Sequence, residues 1–137
     1  ADERAQLRGE PPRYQALVST DPSVPASYRA PDAVEFYLLP LPEGIWENRV
    51  TVRSTRKARI YEPGAWIARV SPTPLLMVVA LKDTIIGTDL LLAAYERALR
   101  PKPKRLELIP GGHFDPYRSQ FDHASAAARA WFTEHLT

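Results

Sequence analysis

The stretch that most constrains this chain is Leu75-Leu-Met-Val-Val-Ala-Leu81, seven apolar residues in a row. An amphipathic helix or a surface strand breaks up its apolar residues at a period of 3.6 or 2. An unbroken run predicts a strand covered on both faces, the environment of a central parallel strand flanked by helices. Pro72 and Pro74 stand at its entrance, where a missing N–H does not interrupt the ladder. The run is also far too short to cross a bilayer.

The residues that follow repeat the theme. Lys82 to Gly87 read as a turn, and Thr88 then offers an N-cap with Asp89 in the first helical turn. A helix over 89–99 carries Leu92, Tyr95 and Leu99 on one face. The basic connector Arg100-Pro-Lys-Pro-Lys104 leads to a second short strand, Arg105 to Ile109, and Pro110-Gly-Gly-His-Phe114 turns the chain. A last helix, about 117–135, repeats Phe121, Ser125, Ala128, Phe132 and Leu136 at helical spacing. Strand, helix, strand, helix in this order predicts an α/β fold and a right-handed βαβ unit of an open sheet. Two strands do not make such a sheet, so further strands are expected from elsewhere. The start, at Ala1 with Met77 the single methionine, reads as a cut rather than a natural terminus.

The first part of the chain is patterned less regularly. Of 14 prolines, seven fall in the first 42 residues, against six glycines in the whole chain. Asp2 to Arg8 read as helical turns stopped by Gly9, and residues 10–30 as an irregular loop. Pro31 opens a short helix with Val34, Tyr37 and Leu38 on its apolar face, ended by Pro40 and Pro42. Another helix is expected from about Trp46 to Tyr61, broken by Pro63-Gly64. Residues 1–70 are therefore expected to be a mostly helical, proline-rich cap or lid, and residues 71–137 the strand-helix-strand-helix segment of the core.

Composition narrows the chemistry. At 45% apolar and 25% charged, the chain is globular rather than disordered. With no cysteine, its 137 residues hold no disulfide, thiolate zinc site, iron–sulfur cluster or cysteine nucleophile. A net charge of +2 is no footprint for nucleic acid. In open α/β sheets, catalytic groups gather just beyond the carboxyl ends of strands. Asp83 lies just past the first strand and His113 just past the second, and neighbouring parallel strands run about 5 Å apart. The two loops are thus expected to meet, with the carboxylate accepting the imidazole N–H and fixing its tautomer. Gly111-Gly112 suits a loop that must fold closely over the sheet edge.

At this point residues 71–137 resemble the C-terminal end of an α/β-hydrolase. The resemblance rests on Thr73-Pro-Leu-Leu-Met-Val-Val-Ala80, Asp83-Thr84, Thr88-Asp89-Leu90 and Ile109-Pro-Gly-Gly-His-Phe114. Upstream, Tyr61-Glu-Pro-Gly-Ala-Trp-Ile67 is similar to the segment entering the penultimate strand in one bacterial and fungal branch. That branch is described as serine aminopeptidase-like, dienelactone hydrolase-like or polyketide transferase/thiohydrolase-like. The resemblance implies that Asp83 is the triad acid and His113 the triad base. Where the family often has proline at position 87 this chain has Gly87, which is expected to loosen the loop after Asp83. No G-x-S-x-G occurs, because none of the glycines at 9, 44, 64, 87, 111 and 112 brackets a serine in that spacing. Ser71, before a strand, and Ser125, on a helix face, are poor substitutes. The chain by itself is accordingly expected to be inactive, a C-terminal portion awaiting its nucleophile elbow and half its oxyanion hole.

Other readings weigh less. His113-x-Asp115 followed by Asp122-His123 suits zinc or non-haem iron, but Asp115-Pro116 reads better as a helix start and Asp122 and His123 as a polar helix face. No metal and no cofactor is expected. Arg100, Lys102, Lys104 and Arg105 read as a solvated connector rather than a phosphate site. Tyr37, Trp46 and Trp66, with Tyr61, either line an acyl pocket beneath a cap or anchor packing. His135 reads as a favourable partner for a helix C-terminus. The expected partner is a small-molecule acyl substrate, once the N-terminal half completes the site. Neither nucleic acid nor membrane is expected, the open sheet edge invites self-association, and the cytoplasm is the expected location. The alternative is a non-enzymatic remnant or interaction fragment, a truncated product that folds by dimerising or does not fold stably alone.

Overall fold

The computed structural model describes residues 2–98 and 103–136. It divides into two compact units, residues 1–61 and 62–137. Leu99 and the connector positions Arg100, Pro101 and Lys102 lie outside the described residues.

In the first unit, helix α1 (Asp2–Leu7) ends before Gly9, whose φ of +85° a glycine adopts without a Cβ penalty. Asp2 is buried because both carboxylate oxygens are used: one accepts from the Gln6 side chain at 2.7 Å, the other from the Arg13 N–H at 2.9 Å. Residues 10–30, expected to be irregular, instead hold strands β1 (Tyr14–Val18) and β2 (Ala26–Tyr28), paired in parallel. Pro11 and Pro12 precede β1, and Pro22 and Pro25 fall between the strands, so neither strand contains a proline. The strands are too short to show an alternating pattern, and distant partners make them. Asn48 acts as a piece of strand: its Oδ1 accepts the Leu17 and Val18 N–H groups and its Nδ2 donates to the Val18 carbonyl.

Helix α2 (Pro31–Tyr37) opens on proline as expected, but its most buried residue is Ala33, and Leu38 is exposed. The helix expected from Trp46 starts only later. Val50–Thr51 forms strand β3, antiparallel to β1, and helix α3 spans Val52–Arg59. The β-branched run Val50-Thr51-Val52 favours extended backbone, and β1 supplies the pairing. The three-stranded sheet runs β2-β1-β3.

The second unit begins with 3-10 turns at Pro63–Ala65 and Ile67–Val70. Strand β4 (Leu75–Ala80) and strand β5 (Lys104–Ile109) pair in parallel from Leu75↔Lys104 to Ala80↔Ile109. Helix α4 (Thr88–Arg97) connects them, and helix α5 (Phe121–His135) follows a 3-10 turn at Asp115–Tyr117. Among the described residues β4 pairs with β5 alone, and its burial on both faces is complete only at Val79 and Ala80. Lys104 is not part of a solvated connector: its Nζ sits over the Tyr95 ring and donates to the Tyr95 and Ala98 carbonyls at the C-terminus of α4. Arg105 pairs with Glu107 at 2.8 Å.

Along α5 the expected apolar stripe is not the buried one. Ala127 and Trp131 are buried, whereas Phe121, Phe132 and Leu136 are exposed. His135 packs edge-on against Trp131, with ring centroids 4.1 Å apart. No helix among the described residues is long and apolar enough to cross a membrane.

Candidate functional site

Ala80 and Ile109 are register partners, so β4 and β5 end side by side and their following loops leave together. Backbone bonds continue past the strand ends: Leu81 N–H donates to the Ile109 carbonyl and Lys82 N–H to the Gly111 carbonyl, at 2.9 and 2.8 Å. This ladder extension carries Asp83 and His113 into contact. Asp83 Oδ2 lies 2.8 Å from His113 Nδ1. Asp83 is buried, its side chain 3% exposed, and His113 is half-buried at 23%.

The other oxygen, Oδ1, accepts the backbone N–H groups of Ile85 and Ile86 at 2.9 and 3.0 Å. Burial pushes the Asp83 carboxyl up. The His113 hydrogen bond, the two backbone donors and the charge of the ring outweigh it, so the group lies below the ordinary carboxylate range. An ionised carboxylate only accepts. The proton of a neutral His113 therefore sits on Nδ1, and Nε2 is left with its lone pair, able to act as a base.

The histidine loop is held by its own residues. Gly111 has φ +101°, and a Cβ there would collide with the Asp115 carboxylate, so this position takes glycine on both counts. Asp115 Oδ2 accepts the Gly112 N–H at 2.6 Å, and Oδ1 accepts the Ser119 hydroxyl. Those two bonds, the hydroxyl first, hold the Asp115 carboxyl below its usual range. Phe114 is buried and meets the His113 ring edge-on at 4.8 Å, which anchors the loop in the core.

A cavity of about 390 Å³ opens beside the pair, lined by Val78, Ala80, Asp83 and His113 together with Phe121, Ser125 and Ala128 of α5. Three members of the stripe read from the sequence, Phe121, Ser125 and Ala128, thus line this space. The Ser125 hydroxyl donates to the Asp122 carbonyl of its own helix at 3.3 Å. Trp66 lies outside the lining, 58% exposed, with the Arg69 guanidinium 4.4 Å above its ring. Tyr37 and Trp46 belong to the first unit, where they stack at 6.1 Å. Among the described residues, no three His, Asp or Glu side chains converge as a metal site. His123 instead meets Glu107 at 2.8 Å.

One contributor is invisible in the expected N-cap at Thr88. Gly87, at φ +94°, takes the cap position, and Thr88 begins the helix. A proline, with φ near −65°, does not fit that backbone. The Thr88 hydroxyl donates to the Ala80 carbonyl at 2.7 Å and accepts the Asp83 N–H at 3.1 Å. Its only sequence signal is a threonine five positions after the aspartate.

No family model matches the chain. It is 34% identical over 119 residues to a protein named polyketide transferase from Gibberella fujikuroi, covering 83% of this chain and 35% of that protein. To polyketide transferase grgF from a Penicillium species it is 31% identical over 120 residues, covering 83% and 38%. The crystal structure of the α/β-hydrolase GrgF from Penicillium sp. sh18 matches with a TM-score of 0.70 at 26% identity, covering 98% of this chain and 46% of that one. The structure of DcsB in complex with its substrate analogue matches with a TM-score of 0.72, covering 99% and 47%. At 22% identity that match speaks to fold alone. The chain spans little more than a third of the curated relatives' length and about half of the solved chains. By this likeness of sequence and structure, the chain carries part of the α/β-hydrolase fold.

Proposed function

We propose that this chain is part of a serine hydrolase or acyltransferase and supplies the acid and the base of its catalytic triad. The observation that carries the reading is the 2.8 Å contact between the buried, ionised Asp83 and His113 Nδ1, made where two parallel strands end beside a cavity. The nucleophile comes from a segment outside these 137 residues, since no G-x-S-x-G lies within them. In the reaction, His113 Nε2 takes the serine proton as the oxygen attacks the acyl carbon. The imidazolium, stabilised by Asp83, then returns the proton to the leaving group. Water or another acceptor, deprotonated by Nε2, resolves the acyl-enzyme. The names of the two curated relatives favour a polyketide acyl group as substrate and transfer to an acceptor. Among the described residues one edge of β4 pairs with no strand, and other chain segments, or another copy, add a strand there.

The test begins with the coding sequence immediately upstream, expected to encode G-x-S-x-G in frame. The chain expressed with that segment is assayed for release of p-nitrophenol from p-nitrophenyl acetate. Replacing His113→Ala is expected to lower kcat/KM by about 10⁴-fold or more, and Asp83→Asn by about 10⁴-fold. An undiminished rate in His113→Ala sinks the assignment. So does an upstream frame without a nucleophile elbow.

A further inference from the structure

The contact between Asp83 and His113 needs the acid loop to hold one shape. That loop leaves β4 at Ala80, turns through residues 81–87 and enters α4 at Thr88. Its two ends are joined by one side chain. The Thr88 hydroxyl donates to the carbonyl of Ala80, the last residue of β4, and accepts the N–H of Asp83 itself. A hydroxyl is the smallest group that donates and accepts at once. Here it spans the strand end, the acid's own backbone and the first turn of the helix.

The geometry points to Thr88 as a positioning residue for the Asp83–His113 pair, a role that rests on reading those two residues as acid and base. Three supports act on Asp83 in different places. The Ile85 and Ile86 N–H groups hold Oδ1, and the His113 ring meets Oδ2. Both grip the carboxylate, and both backbone donors ride on the same loop as Asp83, so they move with it. Thr88 grips the Asp83 backbone and ties it to Ala80, whose register partner Ile109 ends the strand before the histidine loop. Backbone bonds from Leu81 and Lys82 to Ile109 and Gly111 fix the entry of the loop to the sheet. Of the three supports on Asp83 itself, Thr88 is the one that ties the acid's backbone to the end of β4. Without the hydroxyl the loop keeps its internal turn and its entry bonds at Leu81 and Lys82 but loses the tie between Asp83 and the strand end, and the carboxylate shifts relative to the ring.

The 137-residue chain itself tests this by proton and ¹⁵N NMR of the His113 ring. In the parent, a low-field Nδ1–H proton is expected, bonded to Asp83. Thr88→Val, which keeps the shape and removes the hydroxyl, is expected to abolish or broaden that signal while the amide resonances of β4, β5 and α5 persist. The same variant is expected to quicken Asp83 amide exchange about tenfold, the factor equivalent to one ordinary hydrogen bond. Thr88→Ser, which restores the hydroxyl, is expected to restore both. A signal unmoved in Thr88→Val overturns the role of Thr88 and leaves the acid–base pair standing. Absence of the signal in the parent removes the pair itself, and the positioning role with it. Loss of the signal in Thr88→Ser as complete as in Thr88→Val also overturns the proposal. Failure of Thr88→Val to fold where Thr88→Ser folds assigns the hydroxyl to folding instead, and counts against it too.

Discussion

Asp83 spends both of its carboxylate oxygens inside the protein, on one ring nitrogen and two backbone N–H groups, and Asp115 does the same with a hydroxyl and one backbone N–H. Glu107 is held by the His123 ring and then by Arg105. All three groups titrate below the ordinary carboxylate range when folded. The unfolded chain therefore binds more protons than the folded one from about pH 4 downward, and stability rises with pH across that window. Their contribution is fully present above the ordinary value and is lost as acid carries each group through its folded value. Urea unfolding of the chain between pH 3 and 6 is expected to show a falling midpoint below about pH 4. Asp115→Asn is expected to flatten that fall, and an identical slope in the variant would show that Asp115 gains nothing from its two bonds. At this scale Asp83 and His113 were legible because each follows a strand end. Thr88 was not, because the same residue type serves an N-cap or a loop clasp, and only the positive φ of Gly87 decides between them.

Helix α5 shows how periodicity leaves a choice open. Its residues make two neighbouring stripes, one through Ala127 and Trp131 and one through Phe121, Ser125, Ala128 and Phe132. The second has the larger aromatic content and is the stripe a sequence pattern selects. The fold buries the first, with Trp131 7% exposed, and turns the second to the cavity and to solvent, with Phe132 57% exposed. Trp131→Ala is expected to cost about 3–5 kcal/mol, enough to lower the thermal midpoint by many degrees. Phe132→Ala is expected to change stability by less than about 1 kcal/mol. Equal losses in the two variants, measured by thermal unfolding, would place the helix the other way round. Strands β1 and β3 pose the same problem in a stronger form. Five and two residues carry no period, and their pairing depends on residues more than 30 positions apart.

Across the whole chain, the division into residues 1–61 and 62–137 falls where α3 has ended and side chains are open to solvent, with Ile60 68% and Tyr61 73% exposed. Exposed segments with few packed neighbours are where proteases cut. Limited chymotrypsin digestion, read by mass spectrometry, is expected to cut early after Tyr61 and yield pieces 1–61 and 62–137. First cuts inside β4 or α5 instead would contradict the two-unit organisation. The sequence by itself determined that the run from Leu75 and the segment Arg105 to Ile109 are strands joined by a helix, and that an aspartate and a histidine stand beyond their ends. Those properties reside in contiguous residues, where apolar runs, prolines and glycines act over a few positions. The tertiary structure alone decided that the two residues meet, through the Ala80↔Ile109 register and the backbone bonds that continue past it. It alone decided which stripe of α5 is buried and which side chain ties the acid loop to the sheet. Each of those outcomes depends on groups brought together by pairing and packing, whose free energy belongs to neither partner's local sequence.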